Sequence, residues 1–101
     1  MVDSISLFDG TYAELERSMY LATKKQEVIA HNIANAKTPG YKPLTFNEEL
    51  DMAVEKQDKQ KVVLEEELAD LSKNAINYSS YVKMLSSKLN TLRTIAKQGK
   101  G

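Results

Sequence analysis

The chain of 101 residues contains no cysteine, which excludes a disulfide framework, a thiolate zinc site and a thiol nucleophile. Histidine occurs once, at His31, and one histidine without cysteine makes no ordinary zinc site. No apolar run approaches the length needed to cross a bilayer. The start, Met1 to Gly10, lacks the basic region and long apolar core of a secretory signal, so export is expected only by a route that keeps the N-terminus. Acidic and basic residues balance at 14 each, and bulk charge gives no footprint for nucleic acid. Phosphate-binding glycine loops and the nucleophile-elbow pattern are absent. Glu65, Glu66 and Glu67 are consecutive, so they do not share a helix face, and they read as a solvated first turn. Neither catalytic residues, cofactor, metal nor small-molecule substrate is expected.

What the chain does have is heptad order. From Phe8 the positions Phe8, Tyr12, Leu15, Met19, Ala22, Gln26, Ile29 and Ile33 alternate in steps of four and three, with Gln26 the only polar member. A second run, Leu64, Leu68, Leu71, Ala75, Tyr78, Val82, Leu85, Leu89, Leu92 and Ala96, keeps the same spacing without a polar break. Each is the seam of a helix packed lengthwise on another. The spacing predicts helices over about 11–35, capped by Asp9 or Thr11, and over about 63–97, ended by Gly99 and Gly101. Leu21 and Val28 lie beside the first seam, and Tyr81, Met84 and Ile95 beside the second. One partner helix needs one seam, so extra strips imply further neighbours, and an isolated monomer is expected to be marginal. Charge is also polarised. Residues 48–70 carry nine acids against three lysines, whereas 71–101 carry six bases and no acid, which suits the dipole of one long helix.

Between the runs lies Asn32-Ile33-Ala34-Asn35-Ala36-Lys37-Thr38-Pro39-Gly40-Tyr41-Lys42. Asn35 can end a helix in a left-handed conformation, and Thr38-Pro39-Gly40-Tyr41 reads as a tight turn with Pro39 and Gly40 at its corners. The stretch is read either as a helix cap followed by a turn or as a contact surface. After an extended Lys42-Pro43-Leu44-Thr45, the residues Phe46, Leu50, Ala53 and Val54 fall at helical spacing and predict a short helix over about 46–56. The expected fold is therefore all-α. It is a single helical domain over 1–101, with two long antiparallel helices joined by a loop over 36–45 and the short middle helix.

The central stretch resembles the N-terminal signature of the flagellar basal-body rod and hook proteins. There, a helix ending in Asn-[Ile/Leu]-Ala-Asn is followed, after two variable residues, by Thr-Pro-Gly-[Tyr/Phe]-[Lys/Arg]. Asn32, Ile33, Ala34, Asn35, Thr38, Pro39, Gly40, Tyr41 and Lys42 match it. The runs Leu7–Ala13, Gln26–Ala30, Leu64–Ala69, Asn74–Tyr78 and Leu85–Leu89 are similar to the proximal-rod members, while the region 50–61 is shorter than usual there. The resemblance implies a structural subunit of the rod, exported by the flagellar type III apparatus without a cleaved signal. Such a subunit assembles helically with itself and other rod subunits across the periplasm, above the MS ring and export gate, to transmit torque and form the export channel. It also implies that Asn32, Asn35, Thr38, Pro39, Gly40, Tyr41, Lys42 and Phe46 form a subunit contact. The alternatives are a needle-like subunit of a type III secretion system, which the Thr-Pro-Gly-Tyr signature disfavours, and a cytoplasmic coiled-coil adaptor or export chaperone.

Overall fold

The computed structural model describes residues 4–100, with side chains from Asp9 to Gly99. Helix α1 runs Ser4–Ala34 and helix α2 Leu64–Lys100, and between them lie strands β1, Leu44–Asn47, and β2, Met52–Glu55. The molecule measures 66 × 23 × 15 Å. The helices are antiparallel neighbours, since Asn32 near the end of α1 bonds Glu67 in the first turn of α2, and Asn74 bonds the Ala22 carbonyl. Three acids open α2, where the helix dipole favours them. Both helices pass through a glycine. α1 starts before Gly10, so Asp9 and Thr11 lie inside it rather than capping it, and α2 continues through Gly99.

The middle segment is not helical, which corrects the all-α expectation. β1 and β2 form an antiparallel hairpin in which Leu44 faces Glu55, Phe46 faces Ala53 and Asn47 faces Met52. The Lys56 N–H donates to the Pro43 carbonyl at 2.8 Å, one rung beyond the strands. Helical spacing over 46–54 loses here to local side-chain chemistry. The Asn47 side-chain oxygen accepts the Leu50 N–H at 2.9 Å, a turn that competes with helix. Asp51 then takes φ of 54°, a left-handed conformation open to a short polar side chain.

The two seams are rotated from where apolar spacing places them. In α1, Leu15, Ala22 and Val28 are buried and Ile29 is half-buried, Ser18 shares its position with a likewise half-buried Met19, and Lys25 and Asn32 are more buried than Gln26 and Ile33. In α2, Leu71, Leu85 and Leu92 are half-buried, and Glu67, Asn74 and Tyr81 stand where Leu68, Ala75 and Val82 were expected. Tyr12, Leu64, Leu68, Tyr78, Val82 and Leu89 are exposed, and Phe8 lies outside the described side chains. The cause is hydrogen bonding. Asn32, Glu67 and Asn74 find partners between the helices, so the face that satisfies them wins over the face of maximal hydrophobicity.

Candidate functional site

The chain's polar chemistry converges where α1 ends, around Asn32, which is fully buried. Its amide faces the backbone of Leu44 as a neighbouring strand would. Nδ2 donates to the Leu44 carbonyl and Oδ1 accepts the Leu44 N–H, both at 2.8 Å. The second Nδ2 hydrogen goes to Glu67 Oε1 at 3.1 Å, and Oδ1 also accepts from the Tyr41 hydroxyl at 2.7 Å. All four hydrogen-bonding places of the amide are thus filled. One side chain ties together the end of α1, the chain leaving the turn, the start of β1 and the start of α2.

Glu67 carries the network across to the hairpin. It is 1% exposed, and its Oε1 also accepts from Lys56 Nζ at 2.8 Å. The lysine side chain is itself only 19% exposed, so the pair is largely removed from water. Removing one partner would strand a charge there. The opening acidic run therefore splits: Glu65 and Glu66 are solvated as expected, but Glu67 is turned inward. Tyr41 spends its only hydroxyl proton on Asn32, so His31 Nδ1, 2.8 Å from the same oxygen, must be the protonated donor. Burial, and secondarily the Glu67 carboxylate, raises the Tyr41 pKa above its ordinary value. Pro43 is fully buried and brings no N–H that would need a partner.

The remaining signature residues shape the elbow. Asn35 Nδ2 donates to the His31 carbonyl at 2.9 Å, and Asn35 Oδ1 accepts the Thr38 hydroxyl at 3.1 Å. The Tyr41 N–H donates to the Thr38 carbonyl at 3.2 Å, and Gly40 has φ of +77°. Thr38, Pro39, Gly40 and Lys42 are exposed, whereas Asn35, Tyr41 and Phe46 are half-buried. Phe46 lines a cleft of about 260 Å³ with Val28, Ile29, Glu67 and Asn74. Asn32 is corrected from a surface contact to an internal brace, because nothing of it reaches solvent. Glu67, Lys56 and Asn74 were missed. For Glu67 and Asn74 the one sequence signal is a polar residue recurring directly before seam positions, as Glu67 precedes Leu68 and Asn74 precedes Ala75, and Lys56 has none.

The hairpin is strapped to one side of the helical pair. The Tyr20 hydroxyl donates to both Asp51 oxygens at 3.1 Å, and Lys25 pairs with Glu48 at 2.8 Å. That contact, first through hydrogen bonding and then through charge, holds the Glu48 carboxyl below the usual range. No helix among the described residues is long and apolar enough to cross a membrane.

These features define a class, an elongated two-helix structural protein with a braced elbow. The family model "Flagella basal body rod protein" matches residues 17–42, the end of α1 and the turn. The flagellar basal body rod protein FlgB of Bacillus subtilis is 30% identical, over 95% of this chain and the whole of that protein. FlgB of Buchnera aphidicola is 47% identical over 32 residues, 32% of this chain and 24% of that protein. The chain belongs to the flagellar basal-body rod protein family. The Bacillus alignment covers 129 positions against 101 residues here, so this chain lacks a segment that the relative has.

Proposed function

We propose that the chain is a structural subunit of the proximal part of the flagellar rod. It reaches the basal body through the type III export apparatus with its N-terminus retained. It packs helically with copies of itself and other rod subunits, above MS-ring and export-gate proteins, to carry torque and enclose the export channel. The observation that carries this reading is the outward-facing apolar half of the α2 seam. Leu64, Leu68, Val82 and Leu89 stay between 37% and 49% exposed in the single chain, although their periodicity is that of a buried interface. Such a chain is completed by neighbours, and alone it is a marginal fold. The 1–101 chain acts as one unit whose exposed elbow residues, Thr38, Pro39, Gly40 and Lys42, with Asn35, Tyr41 and Phe46 behind them, meet adjacent subunits. Asn32 holds those residues in place from within. The test is purification of basal bodies from cells carrying a tagged chain, alongside a deletion strain. Tag in the rod fraction and loss of rods and motility on deletion are expected. Recovery only from soluble cytosol would overturn the proposal.

A further inference from the structure

The hairpin divides the helical pair into two unlike sides. In α1 the exposed or half-exposed positions Tyr12, Met19 and Ile33 each directly follow a core position, and in α2 so do Leu68, Ala75 and Val82. A one-residue advance turns the same way about each helix axis, and for antiparallel neighbours that places both sets on one side of the pair. The hairpin is on the other side. Its contacts go to Arg17, Tyr20 and Lys25 of α1, and Phe46 shares a cleft with Asp70 and Asn77 of α2. One long side is therefore left uncovered by the hairpin, and its α2 half carries an apolar strip over roughly 38 Å from Leu64 to Leu89 at the helical rise.

The hairpin tip carries a second apolar patch on the opposite side, Leu50 at 61% and Met52 at 53% exposure. Acids surround it: Glu48 and Asp51 are engaged within the chain by Lys25 and by Arg17 and Tyr20, and Glu49 and Glu55 stand beside them for an outside contact. The end of the bare strip at Val82 and Leu89 is accompanied by Lys83, Lys88 and Arg93, in a stretch of α2 without any acid. A closed two-fold pair uses one patch twice, whereas two different patches on opposite sides belong to a head-to-tail contact that can continue indefinitely.

From this we infer that the hairpin tip of one copy seats on the Val82–Leu89 end of the bare strip of the next copy. Leu50 and Met52 lie against the apolar strip and Glu49 and Glu55 against its basic flank. This inference rests on the rod reading and specifies one interface within it.

The cysteine-free chain allows a direct test. Basal bodies are prepared from cells carrying Met52→Cys with Val82→Cys, or either substitution alone, and are oxidised. The double variant is expected to give a ladder of dimers, trimers and higher species, and each single variant none. Self-linking of Val82→Cys alone would overturn the contact in favour of strip on strip. The absence of a ladder from a double variant that is present in the rod fraction would also overturn it. Absence of even the unsubstituted chain from that fraction would instead refute the rod reading. Charge reversal gives a second measurement that needs no cysteine. Glu49→Lys is expected to lower incorporation by up to about fivefold, the range of one rim ion pair, with recovery on adding Lys88→Glu. Unchanged incorporation in the single reversal, or no recovery in the double, would count against the contact.

Discussion

At the scale of single residues, Asn32 decides the elbow. An Asn32→Ala chain keeps the same apolar contacts but leaves the Leu44 N–H and carbonyl without partners next to a buried carboxylate. The expected loss is about 2–4 kcal/mol, from two stranded backbone groups. Asn32→Asp preserves shape yet removes both donors and sets a second carboxylate beside Glu67, so it should be at least as damaging near neutral pH. Urea denaturation followed by circular dichroism checks both. Tyr41→Phe is milder, costing about 1–2 kcal/mol for the two hydroxyl bonds it loses, to Asn32 and from His31. It also carries a pH signature. The raised Tyr41 pKa means that the folded chain holds this proton more tightly than the unfolded chain does. The resulting stability is complete below the ordinary value of 10.0 and is lost as pH rises through the elevated one. The difference in melting temperature between wild type and Tyr41→Phe should therefore shrink in alkali; a constant difference would mean that burial and the Glu67 carboxylate do not hold the phenol protonated in the folded chain.

At the scale of elements, the glycine inside α1 and the glycine of the turn after it call for opposite substitutions. Gly10 is inside the helix with open space where a Cβ would stand, so Gly10→Ala should stabilise by about 0.5–1 kcal/mol. Gly40 also has open space, but its φ of +77° makes Gly40→Ala cost about 1–2 kcal/mol through strain alone, and the β-branched Gly40→Val more. Thermal melts of the two alanine variants should move in opposite directions. Elements also show where the sequence was legible. Both long helices follow from heptads of eight and ten positions, because helical spacing persists over many turns even though the buried face is rotated from the apolar one. The hairpin does not. Phe46, Leu50, Ala53 and Val54 match a helix by number, and a window that short cannot outvote the Asn47 turn bond and the left-handed Asp51. The candidate site was half visible. The signature stretch stands out by composition, but Glu67 and Lys56 could not be connected to it, because their pairing depends on the rotation of α2 and on a strand where a helix was expected.

At the scale of the molecule, the rotation of both seams separates folding from assembly. A seam counted by hydrophobicity alone merges two surfaces: positions such as Leu85 that face α1 and positions such as Val82 that face outward. Substitution distinguishes them. Leu85→Asp puts a charge at the half-buried boundary between the helices, so it should lower helix stability in the isolated chain and abolish incorporation into basal bodies. Val82→Asp places the same charge at a position already 37% exposed, so the isolated chain should melt within about 0.5 kcal/mol of wild type. Incorporation should nevertheless fail, because in the rod that position would be covered. The informative result is the pair. If both variants destabilise the single chain equally, Val82 belongs to the internal core and the bare side does not exist. If Val82→Asp is stable and still builds rods, that side faces solvent in the finished structure and its neighbours must lie elsewhere.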